Sequence, residues 1–261
     1  DSYLAYLYDK IGACDLAEEL LKSVISAGRD DAWVHSELGY CLSELNKLEE
    51  ALEHYFRAKE LGRNDSWIYS QIGWTYRLLG KYEEALEADF KAQELGQDDV
   101  WVNIEIGICY KELEKYEEAI KYYLIANKKA KDKNVWLLSE LVWLYNGIEK
   151  YENALEYLKK LEKLDRDDSW FNSEYGFCLI GLKKYNEAIE KYNRALEKEN
   201  NLKEIIRYNS QIGFCYRLLG KYEEALKENF KALDLGEKSE WVYVCLLYTS
   251  PSPRDGLLSR M

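Results

Sequence analysis

Ser70-Gln-Ile-Gly-Trp-Thr-Tyr-Arg-Leu-Leu-Gly-Lys-Tyr-Glu-Glu-Ala-Leu-Glu-Ala-Asp-Phe-Lys-Ala-Gln-Glu-Leu-Gly96 returns, little changed, as Ser210-Gln-Ile-Gly-Phe-Cys-Tyr-Arg-Leu-Leu-Gly-Lys-Tyr-Glu-Glu-Ala-Leu-Lys-Glu-Asn-Phe-Lys-Ala-Leu-Asp-Leu-Gly236. Working outward, Trp33, Trp67, Trp101, Trp136, Trp170, Arg207 and Trp241 share one frame, with steps of 34, 34, 35, 34, 37 and 34 residues. Six residues after the first six markers stand Gly39, Gly73, Gly107, Val142, Gly176 and Gly213. Twelve further on come Ala51, Ala85, Ala119, Ala154, Ala188 and Ala225, and projection backwards puts Ala17 in that slot. A period of this length marks stacked supersecondary units. The units run at about 1–31, 32–65, 66–99, 100–134, 135–168, 169–205 and 206–239, with another starting at 240.

Each unit reads as two helices. Asp31, Asp65, Asp99, Asn134 and Asp168 lie two residues before the tryptophans, where a side-chain oxygen can accept the free N–H groups of a first turn. Apolar residues spaced by three and four follow, then a break such as Leu79-Gly80-Lys81. Tyr82-Glu-Glu-Ala-Leu86 opens the second helix with acids in the turn that the helix dipole favours. Gly28, Gly62, Gly96 and Gly236 close it in four units. With almost no strand signal, the fold class is all-α.

These residues resemble the tetratricopeptide repeat (TPR) family over 1–244. The third unit supplies its pattern with Gly73, Tyr76, Gly80, Tyr82, Ala85 and Ala92, and the seventh with Gly213, Tyr216, Gly220, Tyr222, Ala225 and Ala232. The resemblance implies a right-handed superhelical solenoid of about seven helix-turn-helix units, part of a longer bacterial-type protein. Three features depart from the pattern. The family's large fourth-place residue is replaced by His35, Tyr69, Asn103, Leu138, Asn172 and Asn209; the usual proline is missing; and 199–206 carries a three-residue expansion.

On each first helix, places two, five, nine and twelve form one stripe at helical spacing. The resemblance implies that this stripe lines a concave peptide groove. The candidates are Trp67, Trp101, Trp136 and Trp170 (with Trp33); Ser70, Ser139, Ser173 and Ser210 (with Ser36); Tyr40, Trp74, Trp143, Phe177 and Phe214; and Arg77, Lys111, Asn146 and Arg217. Trp, Tyr and Arg are the usual anchors of interfaces. One reading is aromatic shelves separated by small hydroxyls, with basic residues to hold a carboxylate or backbone. The other packs the leading tryptophans on the preceding unit's second helix. The family's clamp for acidic chaperone tails uses Lys and Asn at places five and nine, which here hold Ser and aromatics, so a partner of mixed or basic character is expected. Glu37, Glu105, Glu140 and Glu174 would also repel an acidic tail.

Composition narrows function. Among 261 residues, Lys+Arg 36 against Asp+Glu 48 gives −12, which argues against nucleic acid as a partner. No apolar run reaches the 18 or so residues of a membrane span, so no membrane partner is expected. Cys14, Cys41, Cys109, Cys178, Cys215 and Cys245 show no CxxC spacing, so no metal is expected. Reduced thiols point to a cytoplasmic setting. No phosphate-binding, dinucleotide or hydrolase motif occurs, and His35 and His54 have no organised nucleophile. The expectation is a non-catalytic protein-interaction scaffold binding a peptide or protein partner, with no cofactor and no small-molecule substrate. Two alternatives stay open: the recognition or regulatory arm of a larger enzyme or signalling protein, and an array that self-associates through its ends. Residues 245–261 hold both prolines and the one methionine and resemble a translated sequencing adapter, which sets them apart as an artefactual tail.

Overall fold

The chain, seen in a computed structural model, is described for residues 13–235. Most of the first expected helix, Gly236, the marker Trp241, Cys245 and the tail 245–261 lie outside them. The described residues form thirteen α-helices and no strand. They are α1 (Cys14–Ser26), α2 (Ala32–Glu44), α3 (Leu48–Glu60), α4 (Ser66–Leu78), α5 (Tyr82–Glu94), α6 (Val100–Glu112), α7 (Tyr116–Lys129), α8 (Val135–Gly147), α9 (Tyr151–Glu162), α10 (Ser169–Gly181), α11 (Tyr185–Glu197), α12 (Leu202–Leu218) and α13 (Tyr222–Asp234).

The chain divides into two compact units, the first ending at Lys131 and the second starting at Asp132. In the first, α2–α3, α4–α5 and α6–α7 form antiparallel hairpins, with α1 against α2, α3 against α4 and α5 against α6. In the second, the hairpins are α8–α9, α10–α11 and α12–α13, with α9 against α10 and α11 against α12. First helices of successive hairpins also touch, α2 with α4, α4 with α6, and α8 with α10. Each helix buries one face on its neighbours, so stability is close to a sum of local and nearest-neighbour terms.

The expected caps are in place. Asp31, Asp65, Asp99, Asn134 and Asp168 each accept backbone N–H groups of the turn that follows. This fixes where every first helix starts, and hence which way its second-place ring points. The turn inside each hairpin needs one left-handed residue. Gly80 and Gly220 supply it without steric cost at φ 73°. Asn46, Glu114, Glu149 and Lys183 adopt it at 57–60° despite their side chains.

The hairpins cross at the small residues of the repeating frame. Ala51, Ala85, Ala119, Ala154, Ala188 and Ala225 are fully buried. A Cβ on Gly39, Gly107 or Gly176 would stand 2.8, 2.4 or 2.7 Å from the ring of Tyr55, Tyr123 or Tyr192. Where Val142 occupies this slot, the facing residue is the smaller Leu158, also buried. Gly73 and Gly213 face Asp89 and Asn229 instead.

One boundary differs from expectation. The expansion at 199–206 is an added helical turn: α12 begins at Leu202, capped by Asn201, so a unit boundary at 205/206 falls inside it. Asn201 offers the cap oxygen that Lys203 N needs, at 3.0 Å, and Arg207 carries no such signal to start a helix.

Candidate functional site

The stripe of first-helix residues does not present one uniform surface. At place two, Trp67 meets Tyr55 of α3 edge-on with ring centroids 6.4 Å apart. Trp33 and Trp67 lie half-buried against the core of the first unit, and Trp170 is half-buried in the second. Trp101 and Trp136 stand out, 48% and 43% exposed.

The hydroxyl row is inside. Ser36, Ser70, Ser139, Ser173 and Ser210 are all buried. Each donates to a carbonyl of its own helix: Ser36 to Ala32 at 2.6 Å, Ser70 to Trp67 at 2.9 Å, Ser139 to Val135 at 2.6 Å, Ser173 to Trp170 at 2.9 Å and Ser210 to Ile206 at 3.1 Å. Small side chains here let successive first helices approach, and the backbone absorbs their polarity.

At place nine, Trp143 and Phe177 are 45% and 41% exposed, while Tyr40, Trp74 and Phe214 are half-buried. The polar row at place twelve is largely engaged with the protein itself. Arg77 on α4 pairs with Glu105 on α6, where burial pushes the Glu105 carboxyl up and the guanidinium pulls it back. Asn146 on α8 donates to the Glu174 carboxylate on α10 at 2.9 Å. Lys111 and Arg217 are half-buried, and the Arg217 guanidinium lies 5.2 Å from the centre of the Phe214 ring.

In the second unit the stripe opens into a cavity of about 130 Å³ lined by Ser173, Glu174, Phe177, Tyr192, Arg207 and Gln211. Burial pushes the Glu174 carboxyl above its ordinary value, opposed by the Asn146 hydrogen bond and by Arg207. The site therefore offers an aromatic wall, a carboxylate, a guanidinium and an amide to whatever enters. Such a mixture recognises polar main chain and an apolar side chain together.

Two recurrent side-chain arrangements escaped the sequence reading. In three repeats the unusual fourth place is a staple: His35 binds Asp30 at 2.6 Å, Asn103 donates to Asp98 at 2.7 Å and Asn172 donates to Asp167 at 2.7 Å. A cation from the same repeat's second helix holds the same carboxylates, namely Arg57, Lys129 and Lys198. His54 sits behind the first staple, its Nδ1 2.7 Å from His35 Nδ1, and burial takes its pKa down to about 4. The second arrangement is a lid. Arg29, Arg63 and Arg166, four residues before a tryptophan, lay their guanidinium groups 5.7, 4.2 and 4.5 Å from the ring centres of Trp33, Trp67 and Trp170. The repeated Arg-x-Asp-x-Trp spacing was the available signal.

Among the described residues, no group of His, Cys, Asp and Glu could hold a metal ion, and no helix is long and apolar enough to cross a membrane. Burial raises the thiol pKa of Cys178 and Cys215 to about 12.

The tetratricopeptide repeat family model matches residues 68–88, 102–126 and 137–168. No curated protein sequence matches the chain. Among solved structures, the C-terminal part of a TPR repeat-containing protein from Cytophaga hutchinsonii superposes with a TM-score of 0.79 at 15% identity, covering 94% of this chain and 99% of that one. A tetratricopeptide repeat protein from Parabacteroides merdae gives 0.59 at 18% identity over 95% and 97%. MamA from Desulfovibrio magneticus RS-1 gives 0.59 at 19% identity over 65% and 94%. At these identities the likeness is one of fold.

Proposed function

We propose that this chain, which the tetratricopeptide repeat family model matches at residues 68–88, 102–126 and 137–168, is a non-catalytic scaffold holding a peptide or protein partner along the first helices of its hairpins, as such repeats generally mediate contact between proteins. The observation that carries this reading is the cavity beside Phe177, with Glu174, Arg207 and Gln211 on its walls. Trp136 and Trp143 add exposed rings to the same unit, and Trp101 adds one to the other. Exposed aromatic area of this kind is favourable only when something covers it. The buried serines act as spacers in this reading, and Arg77 and Asn146 position neighbouring glutamates rather than touching the partner. Buried thiols at Cys14, Cys41, Cys109, Cys178 and Cys215 suit a reducing compartment such as the cytoplasm.

The test is a peptide selection. A displayed random-peptide library is panned on the full chain, and enriched peptides are titrated against wild type, Phe177→Ala and Trp143→Ala. The expected result is at least a tenfold weaker Kd for either variant at unchanged helical content. Equal affinity for all three proteins would remove the groove from the reading.

A further inference from the structure

The lids tell what covers a leading tryptophan in this protein. In three repeats the cover is a guanidinium, and each time the N-cap aspartate grips it: Arg29 with Asp31 at 2.6 Å, Arg63 with Asp65 at 3.1 Å and Arg166 with Asp168 at 2.8 Å. Ring face and carboxylate together make a cradle, and its occupant comes from the residue four before the ring. In the fourth repeat that residue is Gln97. Asp99 still caps its helix, accepting from Val102 N at 2.9 Å, and Trp101 still follows two residues later. Gln97 only reaches the outer Asp99 oxygen at 3.4 Å, and its own amide oxygen is buried with no partner. Among the described residues no cation stands over Trp101, which is 48% exposed against the half-buried Trp33, Trp67 and Trp170. The neighbouring Asp98 is no rival site, because Asn103 and Lys129 already hold it.

We propose that the Trp101 ring and the Asp99 carboxylate form an open cradle that takes an arginine side chain from a partner. The partner's guanidinium lies flat on the indole and donates to Asp99, in the place that Arg29, Arg63 and Arg166 occupy in the sister repeats. A planar cation suits both demands at once: it stacks on the ring and presents N–H groups in its plane to a carboxylate. The net charge of −12 draws a basic segment toward the site. The cradle is not repeated at Trp136, where the cap is Asn134 and the fourth preceding residue is Asp132. The proposal adds partner chemistry to the scaffold reading but needs only an accessible Trp101, so the Phe177 cavity could fail its test while this one passes.

The probe is a capped Gly-Arg-Gly peptide, with Gly-Lys-Gly and Gly-Gln-Gly as comparisons, titrated into the full chain while the tryptophan indole N–H signals are followed by NMR. The arginine peptide is expected to shift the Trp101 signal saturably, at least threefold more tightly than either comparison, and to leave Trp33, Trp67 and Trp170 in place. Asp99→Asn should weaken binding at least threefold. It keeps a competent cap, since Asn134 and Asn201 cap helices in this chain. Gln97→Arg should fill the cradle from within and weaken the peptide at least tenfold. An unmoved Trp101 signal, equal response to the glutamine or lysine peptide, or indifference to Gln97→Arg would overturn the proposal.

Discussion

Gly107→Ala is expected to destabilise the chain, although the same change in an open helix would help. On helix propensity alone, alanine gains about 1 kcal/mol over glycine. At position 107 the new Cβ would lie 2.4 Å from both Cδ1 and Cε1 of Tyr123 and 3.2 Å from its Cζ. Tyr123 is fully buried, so its ring has no free direction in which to retreat. Two ring carbons at 2.4 Å that cannot move aside put the cost in the upper part of the overpacking range, roughly 2–3 kcal/mol. Overpacking wins, and the expected net loss is about 1–2 kcal/mol. Gly147→Ala supplies the control: it is exposed near the end of α8, nothing lies within 4 Å of its Cβ, and a gain of about 0.5–1 kcal/mol is expected there. The Val142–Leu158 pair shows how the chain relieves the contact, so Tyr123→Leu added to Gly107→Ala should cost less than the two changes summed. Urea unfolding followed by circular dichroism reads wild type, the three single variants and the double variant, with hydrogen exchange in α6 and α7 locating the effect should the repeats unfold in stages. A Gly107→Ala protein as stable as wild type would refute the close crossing on which the hairpin geometry rests.

Three further outcomes follow from particular groups. His54 titrates at about 4 in the folded chain against 6.5 when free, so its stabilising contribution is complete above pH 6.5 and lost as pH falls toward 4; thermal melts should show a loss of about 1–2 kcal/mol across that window once solvent screening is allowed for, and His54→Asn should flatten it. Asp89 is buried with neither carboxylate oxygen partnered, and burial holds its pKa well above the carboxylate range. The folded chain therefore keeps a proton that the unfolded chain releases, and stability falls as pH rises above about 4. Asp89→Asn, the residue found at the matching Asn229, should gain steadily on wild type in urea midpoints between pH 5 and 8. Glu149 holds a left-handed φ of 59° where Gly80 stands in another repeat, so Glu149→Gly should raise stability by roughly 1 kcal/mol in the same assay.

The features written in single residues at fixed spacing were legible before any coordinates. Asp31 and its counterparts announced the helix starts, and the 34-residue frame the hairpins. What stayed hidden depends on pairs that meet across repeats or across a turn. Spacing placed Ser70 and Trp74 on one stripe, but it could not tell that Ser70 is buried or that Trp143 is exposed where Trp67 is half-buried. Those differences arise from neighbours, Tyr55 for Trp67 and the lid arginines for Trp33 and Trp170. The fourth-place substitutions stood out only as departures from the family pattern. At three of the six places they are polar staples, because His35, Asn103 and Asn172 bind the carboxylate just before the cap. Arg77 and Asn146 looked available to a ligand only because Glu105 and Glu174 lie in the next repeat, 28 residues on.

The central claim is that the first-helix stripe, opening at Phe177, is where a partner docks. The direct measurement is the affinity of library-selected peptides for wild type and for Phe177→Ala under one salt condition, with helical content recorded on both. A Kd at least tenfold weaker for the variant, at equal helicity, is the predicted result. Identical affinities, or a loss of binding that tracks a loss of helix, would contradict it.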